Sequence, residues 1–164
     1  RAGAKRLITM GALGSHHVLA TGLLGRSVGL PTTAIALPRP YSQHAEQTTK
    51  ETLLAGVELI PLGNPFDLIQ VVRRVLRRGD YWIAPGGSNG LGAQGYLLAL
   101  RELKRQIDDG QLPEPDWIVV ALGSGGTAAG LLAGIAQEGL KSRLVAASVL
   151  HLPMARPIVQ RALG

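Results

Sequence analysis

The chain has 164 residues, of which 46% are hydrophobic, and this length and composition suit one soluble domain with a buried core. The absence of cysteine excludes disulfides and thiolate metal sites, and it favours the cytoplasm. No apolar run is long enough to span a membrane, so we expect no membrane partner, whereas the net charge of +6 raises the question of a nucleic-acid partner.

Apolar runs and helix signals alternate along the chain. The predicted strands are Arg6–Met10, Thr32–Leu37, Val57–Leu62, Tyr81–Pro85, Trp117–Leu122 and Leu144–Val149. The predicted helices are His16–Gly29, Glu46–Ala55, one that begins at Asn64-Pro65 and buries Leu68, Ile69, Val72 and Leu76, one ending near Ile107, and one from Ala128. This alternation predicts an α/β fold with parallel strands, in which ligands bind beyond the carboxyl ends of the strands.

A basic cluster lies at helical spacing near the end of the third predicted helix and consists of Arg73, Arg74, Arg77 and Arg78. No aromatic residues are interleaved with these arginines, and arginine at the end of a helix complements the helix dipole. We therefore interpret the cluster as a solvated helix end and expect no nucleic-acid partner.

The loop Gly123–Thr127 directly follows a predicted buried strand and precedes a helix. Its glycines allow the backbone to approach a ligand closely, and the first amides of the next helix lack an intrahelical acceptor, so the loop predicts a phosphate site. A P-loop is excluded because no lysine follows the glycines. A dinucleotide site is the second reading, since Gly123, Gly125 and Ala128 have acceptable spacing but the next predicted strand carries no acid.

We expect no metal site. His44 and His151 are single histidines without partners at ligand spacing in the sequence, and the adjacent His16 and His17 point apart on a helix.

Four motifs in order resemble the pyridoxal-phosphate enzymes of fold type II, and within them the group of 1-aminocyclopropane-1-carboxylate deaminase and D-cysteine desulfhydrase. They are Gly11–His17, similar to the family's loop ending Ser-Asn-His, Leu53–Glu58, Gly86–Tyr96 and Gly123–Leu131. The resemblance implies a three-layer α-β-α architecture with parallel sheets, and pyridoxal 5'-phosphate as the cofactor.

The resemblance also implies roles for individual residues. Gly123, Ser124, Gly125, Gly126 and Thr127 would wrap the cofactor phosphate. Ser15 and the amides after it would lie against the substrate carboxylate. His16 takes the place of the family asparagine that bonds the cofactor's phenolic oxygen, so Ser15 and His16 are the catalytic candidates.

The resemblance further places the lysine that holds the cofactor covalently upstream of the Ser-Asn-His loop, and none of the chain's lysines (Lys5, Lys50, Lys104 and Lys141) is assigned to that role. We therefore expect a central portion of the family's chain. Residues 1–85 would be part of the smaller domain, and residues 86–164 part of the larger, cofactor-binding domain.

The resemblance implies a deaminase or desulfhydrase that acts on a small amino acid and is a homodimer when full length. The alternative is a non-catalytic α/β module that binds a phosphate ligand or a dinucleotide.

Overall fold

The computed structural model describes residues 3–149. The chain divides into two compact units, Arg1–Gly86 and Gly87–Gly164. The single domain expected from length is therefore wrong: each unit has its own sheet and its own apolar cluster.

The first unit contains β1 (Arg6–Ala12), α1 (His16–Ser27), β2 (Thr32–Leu37), α2 (Gln43–Leu54), β3 (Glu58–Pro61), α3 (Leu68–Val75) and β4 (Asp80–Trp82), with a 3-10 turn at Pro65–Asp67. Its sheet has the order β3-β2-β1-β4, and every pairing is parallel. Because β1 and β2 lie in the middle, their residues are the most buried, and Ile8, Ala34 and Ile35 have no exposed surface. The predicted α/β class with parallel strands is confirmed.

The second unit contains α4 (Gly90–Asp108), β5 (Trp117–Leu122), α5 (Gly126–Gln137) and β6 (Arg143–Ser148), and a 3-10 turn at Pro85–Gly87 precedes α4. Strands β5 and β6 pair in parallel from Trp117 beside Arg143 to Leu122 beside Ser148. The apolar cluster of this unit is built around Leu100 of α4, Ile135 of α5 and Leu140.

Helices α4 and α5 approach closely because glycines of α5 face side chains and backbone of α4. A Cβ added at Gly130 would lie 2.6 Å from the Ala93 carbonyl oxygen and 2.7 Å from Tyr96 Cβ. One added at Gly134 would lie 2.7 Å from Leu100 Cβ. The small residues of α5 thus set the distance between the two helices, because real Cβ contacts are longer than this.

Two predicted helix starts differ from the observed ones because a side chain caps the backbone there. Helix α2 begins earlier than expected because the Ser42 hydroxyl accepts a hydrogen bond from the Ala45 amide at 3.1 Å. The Asn64 side chain accepts from the Phe66 amide at 3.0 Å and so starts the 3-10 turn instead of an α-helix. Gly56 has φ +82°, which confirms the left-handed helix end.

The predicted buried face of α3 is wrong in part. The helix ends at Val75, so Leu76 lies beyond it, and Ile69 is 66% exposed. Val75 is buried instead, since it lies one helical turn after Val71 on the half-buried side of the helix. Arg73 and Arg74 occupy the last turn and are exposed, which agrees with a solvated helix end.

A partly buried ion pair joins the two strands β1 and β4. Arg6 donates to both carboxylate oxygens of Asp80, at 3.0 and 2.6 Å, and to the Val75 carbonyl oxygen at 2.7 Å. The Asp80 carboxylate also accepts from the Arg77 amide at 2.7 Å. The hydrogen bond from Arg6 is the main cause that lowers the pKa of Asp80, and the same bond raises that of Arg6.

Among residues 3–149, no helix is both long enough and apolar enough to cross a membrane.

Candidate functional site

The loop between β1 and α1 belongs to the first unit, and it carries Ser15 and His16. Gly14 has φ +75°, and a Cβ there would lie 2.5 Å from Ala45 Cα, so only glycine fits this turn. Ser15 is the N-cap of α1 in extended conformation, yet its side chain makes no capping hydrogen bond to the helix. The first amides of α1 and a half-exposed hydroxyl are therefore at hand for an anion or a carboxylate.

His16 contacts a histidine of the neighbouring helix. Its Nε2 lies 3.0 Å from His44 Nε2, and the ring centroids are 5.1 Å apart with an interplanar angle of 50°. His44, which has no partner at ligand spacing in the sequence, thus has a neighbour in space, because the start of α2 comes next to the start of α1 although 28 residues separate the two histidines. His151 lies outside the described residues. Across the described part of the chain there is still no group of three side chains that could hold a metal ion.

His17 is fixed by a buried hydroxyl. Its Nε2 lies 2.7 Å from Thr9 Oγ1, and this hydroxyl donates its proton to the Ile83 carbonyl oxygen at 3.0 Å. Since a hydroxyl has one proton, His17 must donate through Nε2, which sets its tautomer. Burial lowers the pKa of His17, so the ring is neutral at pH 7. His17 is thus part of the framework that supports the loop, and it is partly buried.

The loop Gly123–Thr127 belongs to the second unit and lies where β5 ends and α5 begins. Gly125 has φ +91° and is the residue before the first helical position, so the helix begins at Gly126 and not at Ala128 as predicted. The loop contains no acidic side chain, Ser124 is exposed and Thr127 is half-exposed in the first turn of α5. This is the arrangement in which amides, hydroxyls and the positive helix end act together on an anion.

Ser88 organises this loop. Its Oγ accepts from the Gly126 amide at 3.2 Å and donates to Ser124 Oγ at 2.6 Å. Because Ser124 already accepts the Ser88 proton, its own proton is directed elsewhere and can be donated to a ligand. A Cβ added at Gly126 would lie 2.7 Å from Ser88 Oγ, so the contact requires glycine at that position.

The polar glycine loop before α4 holds Ser88 in place. Gly86 and Gly87 have φ +68° and +67°, and the Asn89 side chain accepts from the Gly92 amide at 2.8 Å and caps the helix. Sequence reasoning noticed this loop and missed the role of Ser88. The available signal was the position of Ser88 in a polar glycine loop that follows a predicted strand and precedes a helix.

The lysines do not lie in these loops. Lys50 pairs with Glu46 at 2.6 Å along α2, and Lys104 pairs with Asp108 at 2.6 Å along α4. Lys5 precedes β1, where its amide bonds the Gly79 carbonyl oxygen, and the Lys141 amide bonds the Glu114 carboxylate.

The chain belongs to the pyridoxal-phosphate dependent enzyme family, whose model matches residues 1–161. It is 34% identical over 160 residues to the D-cysteine desulfhydrase of Klebsiella pneumoniae, with 91% of this chain and 48% of that protein covered. It is equally 34% identical over 160 residues to the D-cysteine desulfhydrase of Serratia proteamaculans, again over 91% of this chain and 48% of the relative.

Among solved structures, the chain is similar to one described as an ACC deaminase homologue. The TM-score is 0.80 at 26% identity, and the match covers 98% of this chain and 50% of that one. The chain therefore spans about half the length of the curated relatives and of the solved structure it matches.

Proposed function

We propose that this chain is the part of a pyridoxal-phosphate enzyme that binds the cofactor phosphate and the substrate carboxylate, and that the enzyme is a deaminase or desulfhydrase of a small amino acid. The observation that carries the proposal is the loop Gly123–Thr127, in which Ser88 holds the Gly126 amide and turns the Ser124 proton outward. Named relatives with D-cysteine desulfhydrase activity and the ACC deaminase homologue support the choice of substrate class.

In the proposed site, Gly123, Ser124, Gly125, Gly126 and Thr127 hold the phosphate. Hydroxyls of Ser124 and Thr127 and the amides of Thr127 and Ala128 in the first turn of α5 supply donors, since the Gly126 amide is bonded to Ser88 Oγ. The helix dipole adds a favourable field. The donor set fits a phosphate dianion, since the loop brings no carboxylate near it. When bound, the cofactor supplies an electron sink for the α-carbon of the substrate.

Ser15 and His16 are proposed to act on the substrate and on the cofactor's phenolic oxygen. The Ser15 hydroxyl is not used as a helix cap, so it can donate to a carboxylate together with the first amides of α1. His16 would donate to the phenolic oxygen, the task that an asparagine amide performs in the related proteins. The lysine that holds the cofactor is not assigned to any residue of this chain.

The proposal includes the domain organisation implied by the family. The first unit would be most of the smaller domain and the second a portion of the larger one. A homodimer in the cytoplasm belongs to the same proposal, and light scattering of the protein expressed from its complete gene tests the dimer.

The experiment uses the protein expressed from its complete gene and loaded with pyridoxal phosphate. D-Cysteine and 1-aminocyclopropane-1-carboxylate are added in turn while ammonia, sulfide and the 2-oxo acid are measured. Release of ammonia with either substrate supports the proposal, and stoichiometric sulfide with D-cysteine identifies the desulfhydrase. Cofactor binding without turnover of either compound favours the non-catalytic phosphate-binding module, and tight binding of a dinucleotide in place of pyridoxal phosphate overturns the proposal.

A further inference from the structure

We infer that His44 is a positioning residue, which donates a hydrogen bond to His16 and so fixes the proton of the neutral His16 ring on Nδ1. The inference rests on the proposed function, since it explains how a histidine can do the work of an asparagine amide. It uses the contact between the two Nε2 atoms at 3.0 Å, which joins the first turn of α1 to the first turn of α2.

The distance between the two nitrogens requires one shared proton. Two ring nitrogens at 3.0 Å form a hydrogen bond only if one donates and the other accepts. A neutral histidine that accepts through Nε2 carries its proton on Nδ1. The contact therefore forces the two rings into opposite tautomers, and a doubly protonated pair would place two donors against each other.

The orientation of the shared proton follows from the proposed task of His16. A phenolic oxygen that carries negative charge needs a donor, and a neutral His16 ring donates through Nδ1 only when Nε2 carries no proton, which is its state when it accepts from His44. In water an isolated neutral histidine favours the opposite tautomer, with the proton on Nε2. Without a donor at His44, the His16 ring loses this bias toward the Nδ1–H tautomer.

His17 provides a contrast within the same loop. Thr9 gives its proton to Ile83, so His17 donates through Nε2 and has the tautomer opposite to that inferred for His16. The adjacent histidines thus receive different tautomers from different neighbours, a hydroxyl acceptor for one and an imidazole donor for the other. His17 serves as the internal reference in any measurement of His16.

The neighbours of His44 do not compete for its contact with His16, and the fold does not depend on its side chain. Glu46, two residues further along α2, is already engaged by the Tyr41 hydroxyl at 2.8 Å and by Lys50 at 2.6 Å. Both rings of the contact are solvent-exposed, and α2 is capped by Ser42, so changing His44 removes neither a core residue nor the cap. A substitution at this position should leave the fold intact.

The test is imidazole nitrogen NMR on the protein expressed from its complete gene, without cofactor and at a pH where the rings are neutral. Two-bond nitrogen–proton correlations distinguish the two tautomers of each ring. We expect the Nδ1–H pattern for His16 and the Nε2–H pattern for His17. In His44→Ala the His16 ring should change to the Nε2–H pattern, while in His44→Gln, whose amide can still donate, it should keep the wild-type pattern.

The same variants have a second readout once pyridoxal phosphate is bound. His44→Ala should shift the absorbance band of the cofactor as His16→Ala does, and His44→Gln should restore the wild-type band. In a His16→Asn background, His44→Ala should leave the band where it was, because an amide donates without a tautomeric partner.

An Nε2–H pattern for His16 in the wild-type protein, or a pattern that His44→Ala leaves unchanged, overturns the inference even if the protein is an active pyridoxal-phosphate enzyme. Failure to bind the cofactor overturns the proposed function and leaves the NMR result to be judged by itself.

Discussion

The close approach of α4 and α5 predicts that Gly130→Ala destabilises the second unit. The new Cβ would lie 2.6 Å from the Ala93 carbonyl oxygen and 2.7 Å from Tyr96 Cβ, and neither atom is the far end of a flexible side chain. Overpacking of this kind costs about 1–3 kcal/mol, and we expect the upper end because backbone must move. The better helix propensity of alanine stabilises the helix by about 1 kcal/mol, so the free energy of unfolding should fall by about 2 kcal/mol in all.

Gly95→Ala in α4 is the matched control. Nothing lies within 4 Å of a Cβ built on Gly95, so this variant keeps the gain in helix propensity and pays no steric cost. It should be more stable than the parent by up to about 1 kcal/mol. Both variants receive the same propensity gain, so the difference between them, about 3 kcal/mol, isolates the steric cost at the helix contact.

The assay is urea unfolding followed by tryptophan fluorescence in a Trp82→Phe background. Trp117 is then the remaining tryptophan, it lies in the second unit, and its ring is covered by the Arg143 guanidinium at 5.3 Å. The midpoints should separate in opposite directions from the parent. Equal midpoints for Gly130→Ala and Gly95→Ala would refute the claim that glycine sets the distance between these helices.

Two further predictions concern the ion pair and the phosphate loop. Asp80→Asn should destabilise the first unit by about 2 kcal/mol at pH 7, between the values for an exposed and a fully buried pair, because the Arg6 side chain keeps 16% exposure. Since folding lowers the pKa of Asp80 from 3.8, its contribution is complete above about pH 4 and is lost as the pH falls further, so acid should narrow the gap between wild type and variant. A difference in the free energy of unfolding between wild type and variant that stays constant from pH 7 to pH 2 would contradict this. Ser88→Ala should weaken binding of pyridoxal phosphate by about 1 kcal/mol, or about fivefold in Kd. The reason is indirect, since Ser88 is proposed to orient Ser124 and Gly126 and not to contact the phosphate. Titration of the protein without cofactor measures this, and an unchanged Kd would show that Ser88 does not organise the loop.

Local signals predicted much of the fold. Strands β2 and β5 have the predicted bounds because each is an uninterrupted apolar run between turn residues. The left-handed Gly56 and the glycine turn before α5 also follow from short-range rules, since the required conformation depends on residues a few positions away.

The missed features all depend on residues far apart in the sequence. The bond between His16 and His44 spans 28 positions, that between Ser88 and Gly126 spans 38, and that between Arg6 and Asp80 spans 74. Periodicity and caps carry no information on such pairs, because only the tertiary fold brings them together. The candidate loops could therefore be found from the sequence, whereas the side chains that orient them could not.

The central claim is that the loop Gly123–Thr127 holds the cofactor phosphate. The most direct measurement compares the Kd of pyridoxal phosphate with that of pyridoxal, which lacks the phosphate, for the protein expressed from its complete gene and for Thr127→Ala. Thr127→Ser, which keeps the hydroxyl, is the control. We predict that Thr127→Ala weakens binding of pyridoxal phosphate by about ten- to a hundredfold, the range for a hydrogen bond to a charged group, and leaves pyridoxal unaffected. An equal loss for both compounds, or no loss for either, would contradict the assignment of the phosphate to this loop.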